Sequence, residues 1–163
     1  MKSLLLLALM ILSLQANIYE TVSDSRDFNE KQKLVILNSY NYALYEDLGY
    51  TLAAIAIVES SAGEIRVNIS DPSFGIHHNL VSSVVNRLGM TDTCYNRNKV
   101  ASRLVTDDDF SREQALQELL FWRKYHSNNW RLMVMSYNAG HKYQNGQHYL
   151  NKVIYWISVL KGN

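Results

Sequence analysis

From Phe28 onward, apolar residues recur at spacings of three and four, the period of a helix that turns one face to a core. Leu34, Leu37, Leu44 and Leu48, with Asn41 among them, form the first such stripe, and Gly49 is expected to stop it. Thr51 is placed to cap a second helix, Leu52-Ala53-Ala54-Ile55-Ala56-Ile57-Val58-Glu59-Ser60, ending near Ser61-Ala62-Gly63. The helical period then breaks. Val67 and Ile69 alternate with polar neighbours, Asp71-Pro72-Ser73 reads as a turn, and Phe74-Gly75-Ile76 continues extended, so a short irregular β-hairpin or a long loop is expected.

Helical patterning returns with Val81, Val84, Val85 and Leu88, stopped by Gly89, and a short helix is expected around Asn98 to Val105. Ser111-Arg112-Glu113-Gln114 has the form of a capping box, opening a helix with Ala115, Leu116, Leu119 and Leu120 on its apolar face. Trp130, Met133, Val134 and Tyr137 mark another helix, with Gly140 suited to its C-terminal cap. Tyr149, Val153, Trp156, Ile157 and Leu160 give the face of a closing helix. The pattern predicts one mainly α domain (α+β) over residues 28–163, with its small β element directly after Glu59. Residues 17–27 are polar and read as a loose, flexible lead-in.

The beginning of the chain has a different character. Lys2 precedes an apolar run from Leu4 to Leu12, and Ser13-Leu14-Gln15-Ala16 offers cleavage after Ala16, the form of an export signal over residues 1–16. Leu14 is not small, so the alternative is an uncleaved anchor helix, although the run is short for the ~20 residues of a span. Without those residues 15 basic and 15 acidic side chains remain, and this balance gives no basic footprint for nucleic acid. Cys94 is the single cysteine, so no intramolecular disulfide can form, and a quiet buried or semi-buried thiol is expected. Packing must therefore stabilise the domain, and three Trp, eleven Tyr and many Leu, Ile and Val supply it.

Glu59 is the chemical anomaly. A carboxylate ending an apolar helix is costly unless it has a partner or a task. A carboxyl in such surroundings is expected to keep its proton closer to neutral pH, as a general acid requires. Leu52 lies seven residues before it, about 20° short of two turns, so both share a face with Ile55 and Ala56. The five histidines show no metal-ligand spacing, and adjacent His77 and His78 in an extended segment point to opposite faces, so no metal site is expected. Asp107-Asp108-Asp109 reads as a solvated helix lead-in, favourable at the positive end of a helix dipole.

Three segments stand in order: Glu59-Ser60, then Ser73-Phe74-Gly75-Ile76-His77-His78, then Tyr137-Asn138-Ala139-Gly140. Together they resemble the soluble lytic transglycosylase family, in which a helix carries Glu-Ser, followed by Gly-Leu-Met-Gln and later by Tyr-Asn-Ala-Gly. The spacing fits, with Gly75 16 and Tyr137 78 residues after Glu59, and the resemblance runs from about Leu48 to Leu160. It implies a lysozyme-like fold and an exported enzyme, in the periplasm or envelope of a bacterium, acting on peptidoglycan glycan strands. The implied reaction breaks the β-1,4 bond between N-acetylmuramic acid and N-acetylglucosamine and leaves a 1,6-anhydro end. Glu59 would be the sole acid and base, with no cofactor. Ser73, Gly75, Ile76, His78, Tyr137 and Asn138 would line the substrate site, and Ser60 would brace the helix end. The resemblance further places Gly75 where sugar approaches backbone and the Tyr137 hydroxyl near Glu59. His77 and His78 stand where the family usually has Met and Gln, which marks a divergent branch. By analogy alone, so small an enzyme suits local opening of the wall for a secretion, conjugation or pilus apparatus. Two alternatives stay open: a lysozyme-type hydrolase using Glu59 with Asp71, and a non-catalytic glycan-binding or scaffold protein. Asp71 is otherwise a turn residue whose side chain bonds local backbone.

Overall fold

The computed structural model describes residues 18–162. The export-signal segment at 1–16 lies outside the described residues. A helical stretch at 18–24 (α1) is followed by α2 (Glu30–Tyr42) and α3 (Gly49–Ser60). Next come β1 (Val67–Asn68), β2 (Ser73–Phe74) and β3 (Asn79–Leu80), then α4 (Val81–Arg87) and α5 (Cys94–Thr106). The chain closes with α6 (Asp108–Tyr125), α7 (Trp130–Ala139) and α8 (Gln147–Leu160). The molecule is thus mainly helical, with one small antiparallel sheet in the order β1-β2-β3.

The sheet is where a hairpin was expected, but it has three strands of two residues each. Val67 pairs with Phe74, and Phe74 pairs with Asn79. Strands this short add little by themselves. Arg66 fixes them: its guanidinium donates to the Gly63 and Val105 carbonyls and pairs with Asp108.

The core forms around α3. Leu52, Ala53, Ala54, Ile55 and Ala56 are all fully buried, so this helix is covered on every side rather than along one stripe. Its alanines let α2 and α8 pack close against it. Burial of a side chain such as Leu52 stabilises by roughly 1.5–3 kcal/mol. A second, smaller cluster joins Val81, Val84 and Val85 of α4 to Val100 and Leu104 of α5 and Phe110 of α6.

Several expectations need correction. The lead-in at 17–27 is helical at 18–24, with Ile18 and Val22 in the main core. On α2, Leu34 is exposed, and the buried face is Val35, Ile36, Ser39 and Tyr40. That helix stops at Tyr42, and Gly49 begins α3 rather than ending α2. Leu48 is the residue before α3; Thr51 is buried within the first turn, where its hydroxyl accepts from Trp130 Nε1 at 3.0 Å. Helix α6 begins before the expected box: Asp107 is its N-cap, accepting from the Phe110 N–H at 2.9 Å. Asp108 and Asp109 are paired, with Arg66 and Arg112, rather than left only to solvent. Helix α5 reaches back to Cys94 and is capped by Thr93, so Cys94 is exposed rather than buried.

Gly49 at the start of α3 packs directly against Tyr40 of α2. A Cβ there would lie 2.8 Å from the Tyr40 carbonyl oxygen and 2.9 Å from its ring. Over-packing of this kind costs about 1–3 kcal/mol, more than the ~1 kcal/mol that alanine gains over glycine within a helix. Gly49→Ala is therefore expected to lower the urea midpoint at unchanged m-value; a raised midpoint would show that the contact relaxes freely.

Candidate active site

Glu59 occupies the last turn of α3, at the edge of a cleft of about 880 Å³. One wall of the cleft is the sheet and α4, with Asn68, Asp71, Ser73, Asn79 and Val84. The other wall is α6 and α7, with Glu118, Phe121, Trp122, Ser136 and Tyr137. The carboxylate side chain is 17 % exposed, open to the cleft but otherwise enclosed.

Ser60 decides where Glu59 sits. Its buried hydroxyl lies 2.7 Å from the Ile76 carbonyl oxygen and 3.1 Å from that of Ala56, and it accepts from the Gly63 N–H at 2.8 Å. The end of α3 is thereby tied to the segment Gly75–His78. Tyr137 holds the same segment from α7, donating from its hydroxyl to the His77 carbonyl at 2.9 Å. Two of the three segments read together in the sequence thus converge on the third.

His78 is turned toward Glu59. Its backbone is left-handed, at φ +45°, which is uncommon for a non-glycine residue. Nε2 lies 2.7 Å from the Ile65 carbonyl, and Nδ1 lies 3.5 Å from Glu59 Oε2. Burial alone would lower the imidazole pKa, but the approach to Glu59 and the bond to Ile65 outweigh it and raise it above the ordinary value.

Tyr149, at the start of α8, carries only a core signal in the sequence. Its ring stacks near that of Tyr137, with centroids 6.5 Å apart. Its buried hydroxyl is turned to Glu59 without closing a full hydrogen bond. Burial first, then the Glu59 charge, raise the pKa of both tyrosines well above normal, so both stay protonated. The polar tip of a tyrosine on a core-facing stripe is the signal that could have found it.

Other residues fall differently from expectation. Ser73 is buried and lines the cleft, and Asn138 lines it while exposed. Gly75 and Ile76 do not line it. A Cβ at Gly75 (φ +84°) would lie 2.5 Å from the Leu104 carbonyl and from Ser111 Oγ, so protein rather than sugar approaches this backbone. Ile76 is fully buried in the core, and its contribution is the carbonyl that meets Ser60. His78 reaches the cleft, but both its nitrogens face protein atoms. Asp71 is exposed at the β1–β2 turn; there its N–H donates to Asn68 Oδ1 at 3.4 Å, so Asn68 supplies the side-chain bond expected from Asp71. The Arg87–Glu118 pair was not singled out from sequence. Arg87 also donates to Gln114, and Glu118 accepts from Trp122 Nε1 at 2.7 Å, which ties α4 on one wall to α6 on the other. Among the described residues, no group of three His, Cys, Asp or Glu could hold a metal ion.

Comparison with protein-family models, with curated proteins and with solved structures found no match to this chain.

His77 is fully buried, and neither of its ring nitrogens closes a hydrogen bond. Burial, helped by the Arg112 and His78 charges and only partly opposed by the Leu52 backbone, lowers its pKa to about 3. Unfolded, it would titrate near its reference ~6.5. Between those values the unfolded chain binds a proton that the folded chain refuses, so stability falls as pH drops. The expected slope from this residue is about 1.4 kcal/mol per pH unit. His77→Met should flatten the loss of stability between about pH 6 and pH 4, read by urea unfolding; an unchanged slope would show that His77 accepts the proton while folded.

Proposed function

We propose that the chain is a peptidoglycan lytic transglycosylase of lysozyme-like fold, with Glu59 as its single acid and base. The observation that carries this reading is the position of Glu59: one largely enclosed carboxylate at the edge of a cleft of about 880 Å³. It is held there by the Ser60–Ile76 bond and faced by the hydroxyl of Tyr149. The order of the Glu-Ser, Gly-Ile-His-His and Tyr-Asn-Ala-Gly segments supports the same reading. In it, the chain is exported to the bacterial envelope and works on glycan strands there, locally, beside a secretion, conjugation or pilus apparatus.

The chemistry needs one carboxyl group. Glu59 gives a proton to the glycosidic oxygen as the bond to C1 breaks. As carboxylate it then takes the proton of the muramoyl C6 hydroxyl while O6 bonds to C1. The nucleophile belongs to the substrate, so the attack is intramolecular and has a high effective molarity without an activated water. Most glycosidases instead place two carboxyl groups across the scissile bond.

The hydrolase reading has one observation in its favour, since Asp71 lines the same cleft. Against it, the Asp71 carboxylate sits exposed on a turn and has no hydrogen-bond partner among the described residues. Nothing there orients it toward a water.

Mass spectrometry of peptidoglycan digested by the protein separates the readings. Anhydromuropeptides are expected, and Glu59→Gln should reduce them at least ~100-fold, the usual contribution of a positioned acid-base group. Reducing-end products, lost on Asp71→Asn, would replace this reading with hydrolysis. Intact glycan retained on the protein would replace it with a binding role.

A further inference from the structure

We propose that His78 and Glu59 act as one acid: the imidazole shares a single proton with the carboxylate and so sets the pH range over which Glu59 has a proton to give. The catalytic part of this inference rests on the glycan-cleaving reading above. His78 is a positioning residue in it, acting only through Glu59.

The hydrogen positions follow from the partners. A carbonyl oxygen can only accept, so Nε2, 2.7 Å from the Ile65 carbonyl, must carry a hydrogen. A neutral ring then presents a lone pair from Nδ1 to Glu59 Oε2, 3.5 Å away. Lone pair against carboxylate is repulsive. The contact becomes attractive when one further proton lies on Nδ1 or on the carboxylate. The ring has little room to turn away. Its side chain is 9 % exposed, and Tyr137 and Ser60 hold the carbonyls of the two preceding residues.

Among the described residues, no other group packed against the pair supplies that proton. Tyr137 from α7 and Tyr149 from α8 stay protonated, and His77, with Arg112 behind it from α6, stays neutral. Arg87 on α4 and Glu118 on α6 are committed to each other across the cleft, and Asp71 is out at the turn. The proton at this contact is therefore shared between these two side chains alone.

The proton balance closes. In the resting pair Nδ1 carries the proton and Glu59 is a carboxylate. The proton passes to Glu59 and then to the glycosidic oxygen as the C1–O4 bond breaks. The C6 hydroxyl proton goes to Glu59 as the C1–O6 bond forms, and it returns to Nδ1. No proton is gained or lost. Once solution pH removes the shared proton, the pair has nothing to give and activity falls. A glutamine at position 78 could hydrogen-bond Glu59 but could not hold this proton.

Two measurements on the full chain test this. The first is the pH profile of kcat/KM for release of anhydromuropeptides. In His78→Gln the alkaline limb should move to lower pH, with the ratio of activity at about pH 7 to that at about pH 5 falling roughly tenfold or more, one unit being tenfold. Coincident alkaline limbs would overturn the proposal. The second is nitrogen NMR of the His78 ring. Nδ1 should take up its proton above the reference of ~6.5 in the native protein and at lower pH in Glu59→Gln. Identical titrations would overturn the shared proton. Absence of product at every pH would sink the glycan reading and the catalytic part with it, while the titration would still uphold or overturn the pairing.

Discussion

The buried hydroxyl of Ser60 is the constraint on which the site depends. A helix that ends in the core leaves its last backbone groups without partners, and these must be met by something other than water. Backbone donors just past the helix take up the carbonyls of Ala56, Ile57 and Ser60, and the Ser60 side chain accepts from the Gly63 N–H and reaches the Ile76 carbonyl. That contact ties the direction of α3 to the path of the chain sixteen residues later. Glu59 precedes Ser60 and His78 follows Ile76 by two, so one hydrogen bond fixes the registry of both. Ser61 and Ala62, both at positive φ, then turn the chain away toward the sheet.

Around that clasp the molecule forms two apolar clusters with the cleft between them. The larger is built on α3, and the smaller joins α4, α5 and the start of α6. The strands between them are too short to act as a scaffold, so polar contacts hold the junction. Arg66 links the loop after α3 to Asp108 and the end of α5, and Asn79 Nδ2 donates to the Ser111 carbonyl and hydroxyl at 3.1 Å. Partly buried ion pairs of this kind contribute less net stability than their Coulomb attraction implies, because desolvation offsets it. Here they fix the geometry of one wall of the cleft relative to the other.

Much of this was legible in the sequence, and the failures share a cause. Helices α4, α7 and α8 were readable because their apolar residues lie along one stripe that ends in a glycine or at the chain's last turns. Glu59 was readable because its surroundings contradicted its charge. Helix α2 carries two stripes, one with Leu34 and Leu37 and one with Val35, Ile36 and Tyr40. Periodicity cannot say which faces the core, and α3 selects the second. Ile18 and Val22 are one turn apart in a segment too short for a period to register, yet both are buried. Gly75 was recognisable as a place of close approach, but not what approaches: Leu104 and Ser111 are distant in sequence and meet it only through the fold. Tyr149 was seen as a core ring because its stripe is apolar. Its hydroxyl matters only because α8 crosses α3 near Glu59.

Chemistry at Glu59 is limited by what can change charge beside it. Both nearby tyrosines are kept protonated by burial and by the carboxylate itself, so each offers a hydroxyl and no charge. Arg87, a strong cation on the cleft wall, is neutralised by Glu118. A carboxylate among neutral hydroxyls and apolar side chains carries a charge that little nearby offsets, an expensive state in such a setting. The imidazole of His78 is the one contacting group, among the described residues, whose charge can vary near neutrality. Where the resembled family has an amide, this chain has a titrating ring, held in left-handed backbone with one nitrogen bound to a carbonyl. Such a constrained ring offers a carboxylate one polar atom, in one tautomer. In the proposed reaction Glu59 must be acid and then base within a single turnover, and a partner that can take up or release the same proton lowers the electrostatic cost of each state in turn.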